Sequence, residues 1–166
     1  MPSSKFPPKF SLRSVLLSEA TSPGFNPGPS GMYATVKNGL NKPLVVSAQI
    51  PGVLDFQKWR FTTPTESESC QILFVPSGPH TEPSAGFATV SKSLETPITM
   101  SLTPSYYHIR LQGHTGNGLP IVTIHPVSDS AILDCSVGVS EDNNLQIQGF
   151  PAGGTEEGRL GWIVYS

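Results

Sequence analysis

The sequence is short of charge. Asp, Glu, Lys and Arg make up 13% of its 166 residues, about half the usual share of roughly 25%. The net charge is −2 and the pI near 6.0, which lacks the basic footprint of a nucleic-acid binder, so no nucleic-acid partner is expected. Disordered chains pair high net charge with few apolar residues, whereas this chain is 37% apolar, so a folded domain is expected. Long hydrophobic runs are missing too. No stretch approaches the ~18 apolar residues of a membrane-spanning helix, and no membrane partner is expected. The opening "MPSSKFPPKF" has no apolar run of the roughly 7–15 residues a secretory signal needs, so the expected location is cytoplasmic. Only two cysteines occur, Cys70 and Cys135, in no metal-like spacing. In a reducing compartment both read as buried thiols, with a disulfide the less favoured alternative.

Stretches free of breakers are also scarce. Gly and Pro together number 33, about one residue in five. Each interior Pro removes a backbone donor and each interior Gly costs helix stability, so long helices are excluded. What is present instead is a series of short runs rich in Val, Ile, Tyr, Phe and Thr, separated by turn residues. Strands are expected at 32–37, 43–49, 57–62, 70–75, 86–92, 98–102, 106–112, 120–125, 131–137, 145–150 and 162–166. Residues 10–17, "FSLRSVLL", fit either a strand or a short helix. Residues 18–30 read as loop, and residues 1–9 as a loose N-terminal arm.

The runs repeat. "YATV" at 33–36 matches "FATV" at 87–90, and Leu40, Pro43 and Ser47 match Leu94, Pro97 and Ser101, all 54 positions later. Further on, Arg60 matches Arg110 and Pro76 matches Pro126 at an offset of 50. Two copies of a four-strand unit follow, at about 31–76 and 85–126. A third, at 130–166, offers three strands and places Trp162 where Trp59 stands. Residues 10–17 supply the missing strand by bringing the ends together, giving about twelve strands in one domain, 10–166. Such units are too small to fold alone but can share a core. Closing a sheet on itself removes edges that would recruit other chains. Tyr33, Leu44, Trp59, Ile72, Phe87, Ile109, Val122 and Trp162 are expected inside.

Three four-stranded repeats in this length resemble the β-trefoil, an all-β fold. "FQKWRF" is similar to the Q-x-W-x-F element of that fold, and of ricin-type lectins in particular. The size, the "GMY" strand followed by a short loop, and the early "QKW" resemble the small mushroom β-trefoil protease inhibitors, the mycocypins and their serine-protease-inhibiting relatives. The resemblance covers roughly 31–166. It implies a non-enzymatic, fungal, monomeric defence protein whose partner is a protease of the cysteine or serine type. A glycan is the alternative partner, because a β-trefoil lectin is the second reading. A viral jelly-roll coat protein is the third, suggested by the arm with Lys5, Lys9 and Arg13.

No nucleophile motif is present, so no catalytic residue is assigned. His80, His108, His114 and His125 show no metal-ligand spacing, and His108 and His125 read as surface or hydrogen-bonded strand residues. No metal or cofactor is expected. Glu66, Glu68, Glu82, Glu141, Asp142, Glu156 and Glu157 fall in turns, where solvated charge is the ordinary role. Interest therefore shifts to loops on a rigid scaffold. "VKNGLNKP" at 36–43 leads: Asn38-Gly39 predicts a tight turn, and Lys37, Asn41 and Lys42 are offered to a partner. A Lys suits a trypsin-like pocket and an Asn a legumain-like one. By the resemblance, the loop after the first strand helps block papain-like clefts, where glycine lets the backbone approach, and Gly39 matches that feature. Lys92 is the equivalent in the second copy. His114 and Asn117, in the glycine-rich "GHTGNG", mark a further hairpin tip, and 76–86 and 150–159 are longer candidate loops.

Overall fold

The computed structural model describes residues 6–25, 31–63, 68–76, 85–89, 93–127, 133–151 and 158–166. Among them run twelve strands: β1 (Ser11–Leu16), β2 (Tyr33–Thr35), β3 (Val45–Ser47), β4 (Trp59–Phe61), β5 (Ile72–Phe74), β6 (Gly86–Ala88), β7 (Thr99–Ser101), β8 (Tyr107–His114), β9 (Pro120–Pro126), β10 (Leu133–Val139), β11 (Leu145–Pro151) and β12 (Leu160–Tyr165). A single helical turn, α1 (Leu17–Ala20), and a 3-10 turn at Leu54–Phe56 complete the elements. Most strands in the first two-thirds of the chain are shorter than the apolar runs suggest, because pairing is interrupted by single bridges at Pro43, Cys70 and Pro97.

Six strands close into a ring. β1 pairs with β12, β12 with β9 and β9 with β8, all antiparallel. Tyr107 at the head of β8 bridges Cys70, which leads into β5, and β5 pairs with β4. Trp59 of β4 then bridges Phe10, which leads into β1. The other six strands form three hairpins, β2–β3, β6–β7 and β10–β11. These hairpins are cross-linked in a triangle by the bridges Pro43 to Thr99, Pro97 to Gln146 and Asn144 to Val45. A six-stranded barrel capped by a triangle of hairpins is a β-trefoil, and the jelly-roll reading, which needs two stacked sheets, is thereby overturned.

Equivalent positions follow from the pairing. Phe10, Cys70 and Val122 stand opposite Trp59, Tyr107 and Trp162. Leu12, Ile72 and Ile124, two residues further on, are all fully buried. The indole N–H of Trp59 donates to Ala34 O at 3.0 Å, and that of Trp162 to Val137 O at 3.1 Å. In the middle unit the Tyr107 hydroxyl bonds Thr89 Oγ1 instead. Phe87 meets Trp59 edge-on at 4.8 Å, and Phe74 does so at 5.6 Å.

The 54-residue match slips in one place. Ala34 pairs with Val46, Val137 with Ile147 and Phe87 with Met100. Phe87 is therefore the counterpart of Ala34, and the counterpart of Tyr33 is Gly86. The cause is steric: a Cβ on Gly86 would lie 2.0 Å from Ile72 O, so the second unit has no room for an aromatic there. The ring shifts one residue along and fills the core.

Seven of the eight expected core side chains are buried: Tyr33, Leu44, Trp59, Ile72, Phe87, Val122 and Trp162. Ile109 is only half-buried. Beyond Tyr107, β8 is the edge of its sheet, paired along its length with β9 alone, and Arg110, Leu111 and Gln112 are exposed beside it. Residues 10–17 are strand rather than helix up to Leu16, and the expected loop that follows begins with α1. Leu17 and Ala20 of that turn pack with Val15, Ile121 and Ile163 in a second cluster on the outer wall of the ring. Thr21 Oγ1 ties the turn down through Leu17 O at 2.8 Å. In the stretch read as an arm, Phe6 sits edge-on to Phe61 at 5.0 Å, and Lys5 lies outside the described residues.

Gly86→Ala is expected to destabilise the fold by about 2–3 kcal/mol, because the clash is with backbone that cannot rotate away. Gly39→Ala, at φ 86° with open space around its Cβ direction, is expected to cost about 1 kcal/mol through backbone strain alone. Urea denaturation of the two variants checks the ranking.

Candidate functional site

The triangle of bridges gathers the three hairpin tips at one end of the barrel. The first tip, residues 36–44, carries Lys37, Asn38, Gly39, Asn41 and Lys42, all exposed. It is wider than the tight turn expected from Asn38-Gly39, since both Gly39 (φ 86°) and Asn41 (φ 61°) are left-handed. The neighbouring hairpin clamps it: Asn41 N–H donates to Met100 O at 2.6 Å, Met100 N–H to Lys42 O at 3.1 Å and Leu44 N–H to Ile98 O at 2.8 Å. Leu40, at its apex, is half-exposed, and so is its counterpart Leu94 on the second tip. Lys92 lies outside the described residues.

A second surface was not singled out in the sequence. The β3–β4 connection, residues 48–58, exposes Ile50, Leu54 and Phe56 at 52%, 43% and 46%. Its path is fixed by its own backbone. Val53 N–H donates to Ile50 O at 3.1 Å, Phe56 N–H to Val53 O at 2.9 Å and Gln57 N–H to Leu54 O at 3.3 Å. Gly52, at φ 94°, makes the bend. From beneath, the buried Gln57 amide donates to Thr35 Oγ1 at 3.0 Å, Ser47 O at 3.1 Å and Ala48 O at 3.2 Å. Val36 N–H donates to Phe56 O at 3.0 Å, so this connection runs beside the stem of the first tip. The signal was there to read: "IPGVLDF" puts apolar residues directly around a Pro-Gly turn, where a core strand is excluded.

His114 and Asn117 are exposed on the β8–β9 tip. His114 ends β8 and Asn117 follows it, at the far end of that strand from Tyr107 and away from the hairpin triangle, so the structure does not join them to Lys37–Lys42. Asn117 Oδ1 accepts from Thr115 Oγ1, and Gly116 N–H reaches Phe25 O at 2.5 Å, pinning this tip to the long β1–β2 connection. His80, Glu66, Glu82, Glu156 and Glu157 lie outside the described residues, as does most of 76–86 and 150–159. No group of His, Cys, Asp or Glu suited to a metal ion is found among the described residues.

A cluster of charged groups around Asp134 is partly buried. Asp134 Oδ2 meets Arg159 at 3.0 Å, and Oδ1 meets Arg110 at 3.4 Å and His125 Nδ1 at 3.2 Å. Arg159 also covers the Phe150 ring at 4.5 Å, a cation–π contact. His125 is 3% exposed. Burial, with the nearby Arg110, pushes its pKa down to about 4 against the opposing pull of Asp134. It is therefore neutral at pH 7. Cys135 O can only accept, so Nδ1 carries the proton to it at 2.9 Å and Nε2 accepts from Thr123 Oγ1 at 2.7 Å. Burial raises the Asp134 pKa, but His125, Arg159 and Arg110 together bring it below the ordinary value. With His125 neutral, the two arginines do this at pH 7. Cys70 and Cys135 are free thiols, Cys70 buried and Cys135 half-buried rather than fully so. Burial pushes Cys70 up to about 11 and Cys135 upward, so neither is a ready nucleophile.

Comparison with known proteins bears on the family and the fold. A family model described as peptidase inhibitor clitocypin matches residues 15–162. No curated protein matches the chain. Among solved structures, the designed 3-fold symmetric protein ThreeFoil superposes with a TM-score of 0.58 at 10% identity, covering 96% of this chain and 99% of that one. At that identity the likeness shows the fold.

Acid should loosen the β9–β10 region. A histidine held neutral in the folded state and free to protonate near pH 6.5 when unfolded stabilises the fold above that pH. The contribution is lost as pH falls from about 6.5 towards 4, at up to about 1.4 kcal/mol per pH unit. Below that, protonation of Asp134 removes more. His125→Gln is expected to flatten the upper part of this slope, read by urea unfolding at successive pH values. An unchanged slope would exclude His125 as its source.

Proposed function

The chain belongs to the clitocypin peptidase-inhibitor family, and from that premise we propose that it blocks papain-like cysteine proteases with the β3–β4 connection. The protein is a non-enzymatic protease inhibitor. The observation that supports this contact surface is the exposure of Ile50, Leu54 and Phe56 on a loop that is already braced. Fully burying one such side chain is worth about 1.5–3 kcal/mol. Ordering a mobile side chain at an interface costs roughly 0.5–1.5 kcal/mol, and a held loop avoids much of the comparable backbone cost. Gly52 at the bend presents backbone without a side chain, which suits close approach to a cleft. The first hairpin tip, joined to Phe56 through Val36, provides a second line of contact with Lys37 and Lys42 at its rim. The protein acts as a monomer in the cytoplasm of a fungal cell, in a defensive role. The free thiols suit that reducing setting.

Titration against papain, legumain and trypsin tests the reading. Papain inhibition is expected at nanomolar to micromolar concentration. The paired substitution Leu54→Ser and Phe56→Ser should weaken it by about tenfold to a hundredfold without loss of fold, because both side chains are exposed. Gln57→Ala should weaken it by about tenfold through a looser loop. Lys37→Ala and Lys42→Ala should leave papain inhibition nearly unchanged. Full papain inhibition by the paired variant, or trypsin inhibition that disappears with Lys42→Ala, would move the contact to the hairpin tip.

A further inference from the structure

In the first unit Gln57 lies two residues ahead of Trp59; in the second, Ser105 lies two residues ahead of Tyr107. Trp59 and Tyr107 occupy equivalent ring positions, so Ser105 is the counterpart of Gln57. The Gln57 side chain is fully buried and its amide N–H groups reach three acceptors. Serine is much shorter. Beside it the second unit has a solvent-open recess of about 400 Å³ lined by Ser69, Thr89, Ser105, Tyr106, Pro126 and Val127.

The lining has two chemical characters. Ser69, Thr89 and Ser105 bring hydroxyls, and Tyr106 brings a ring and a phenol, half-exposed to solvent. Pro126 and Val127 bring apolar surface. None of the six is an acidic or basic residue. Ser105 Oγ accepts from Thr89 N–H at 2.9 Å and also bonds the Tyr107 hydroxyl, while Thr89 O stands 3.5 Å away. A charged ligand would find no counter-charge here, and a purely aliphatic one would strip water from hydroxyls without replacing it. A ligand with an apolar face and a rim of hydroxyls satisfies both walls.

We propose that this recess is a binding subsite for one neutral pyranose ring, separate from the β3–β4 connection that faces the protease. The ring of Tyr106 takes the C–H face of the sugar, and the Ser105 and Thr89 hydroxyls exchange bonds with its hydroxyls. A single ring with few polar contacts binds weakly, with a Kd on the order of 1 mM.

The test is a backbone amide NMR titration of the full chain with glucose, galactose, mannose and N-acetylglucosamine, each as the reducing sugar and as its methyl glycoside, with glycerol as control. Saturating shifts at Ser69, Ser105 and Tyr106 with at least one sugar, and none with glycerol, are expected. Shifts with the glycoside too indicate a sugar at the end of a glycan; shifts with the reducing sugar alone indicate a free monosaccharide. Ser105→Gln, which refills the space as in the first unit, should abolish the response, and Tyr106→Ala should weaken it about tenfold. Both variants should keep their papain titre, and their spectra report whether they fold. No shift with any sugar, an equal shift with glycerol, or a response that survives Ser105→Gln overturns the proposal.

Discussion

Ring closure is the constraint on which the other features rest, and it is completed by few contacts. Two of its six seams are single bridges, Phe10 to Trp59 and Cys70 to Tyr107. The aromatic side chains at these seams explain why so little pairing suffices. Trp59, Tyr107 and Trp162 are fully buried, and each fixes the hairpin beneath it through a polar tip while its body fills the barrel. A bond to a buried carbonyl is worth about 1 kcal/mol when made, and costs more when that carbonyl is left without it. Seam, core and cap are thus fastened by the same three side chains.

That economy frees the connections for other uses. In the first unit the strand that leads to Trp59 arrives through an apolar, self-bonded bend anchored by Gln57. In the second unit the matching connection, between β7 and β8, is shorter and ends in Ser105 and Tyr106. One scaffold position therefore yields an exposed apolar loop in one unit and a recess in the next. The difference comes from loop length and from the side chains that precede Trp59 and Tyr107, on strands that hold equivalent places in the ring.

Much of this was legible in the sequence, for physical reasons. Short β-branched runs between Gly and Pro reveal strands, and a repeat of strands reveals the pseudosymmetry. Pro43 and Pro97 were correctly matched because both bridge the next hairpin. Tyr33 and Phe87 were matched one residue out, since letters align more readily than registers and the crowding at Gly86 is a three-dimensional fact. Ile109 looked internal because its strand alternates, yet alternation cannot tell that β8 runs on as an edge. The β3–β4 connection escaped notice because apolar residues in a sequence read as core until the backbone around them is seen to be closed on itself. The polar group around Asp134 draws on residues 110, 125, 134 and 159, too scattered to leave a local pattern.

The indole bonds to Ala34 O and Val137 O have one more consequence. A carbonyl is common to every amino acid, so these contacts are blind to which side chain their acceptor carries. The barrel can keep hold of each hairpin while the letters along it change. Such an attachment lets the third unit drift until its kinship with the other two is faint on paper, and it leaves the outward faces open to diversify under whatever pressure a target imposes, without renegotiating the foundation.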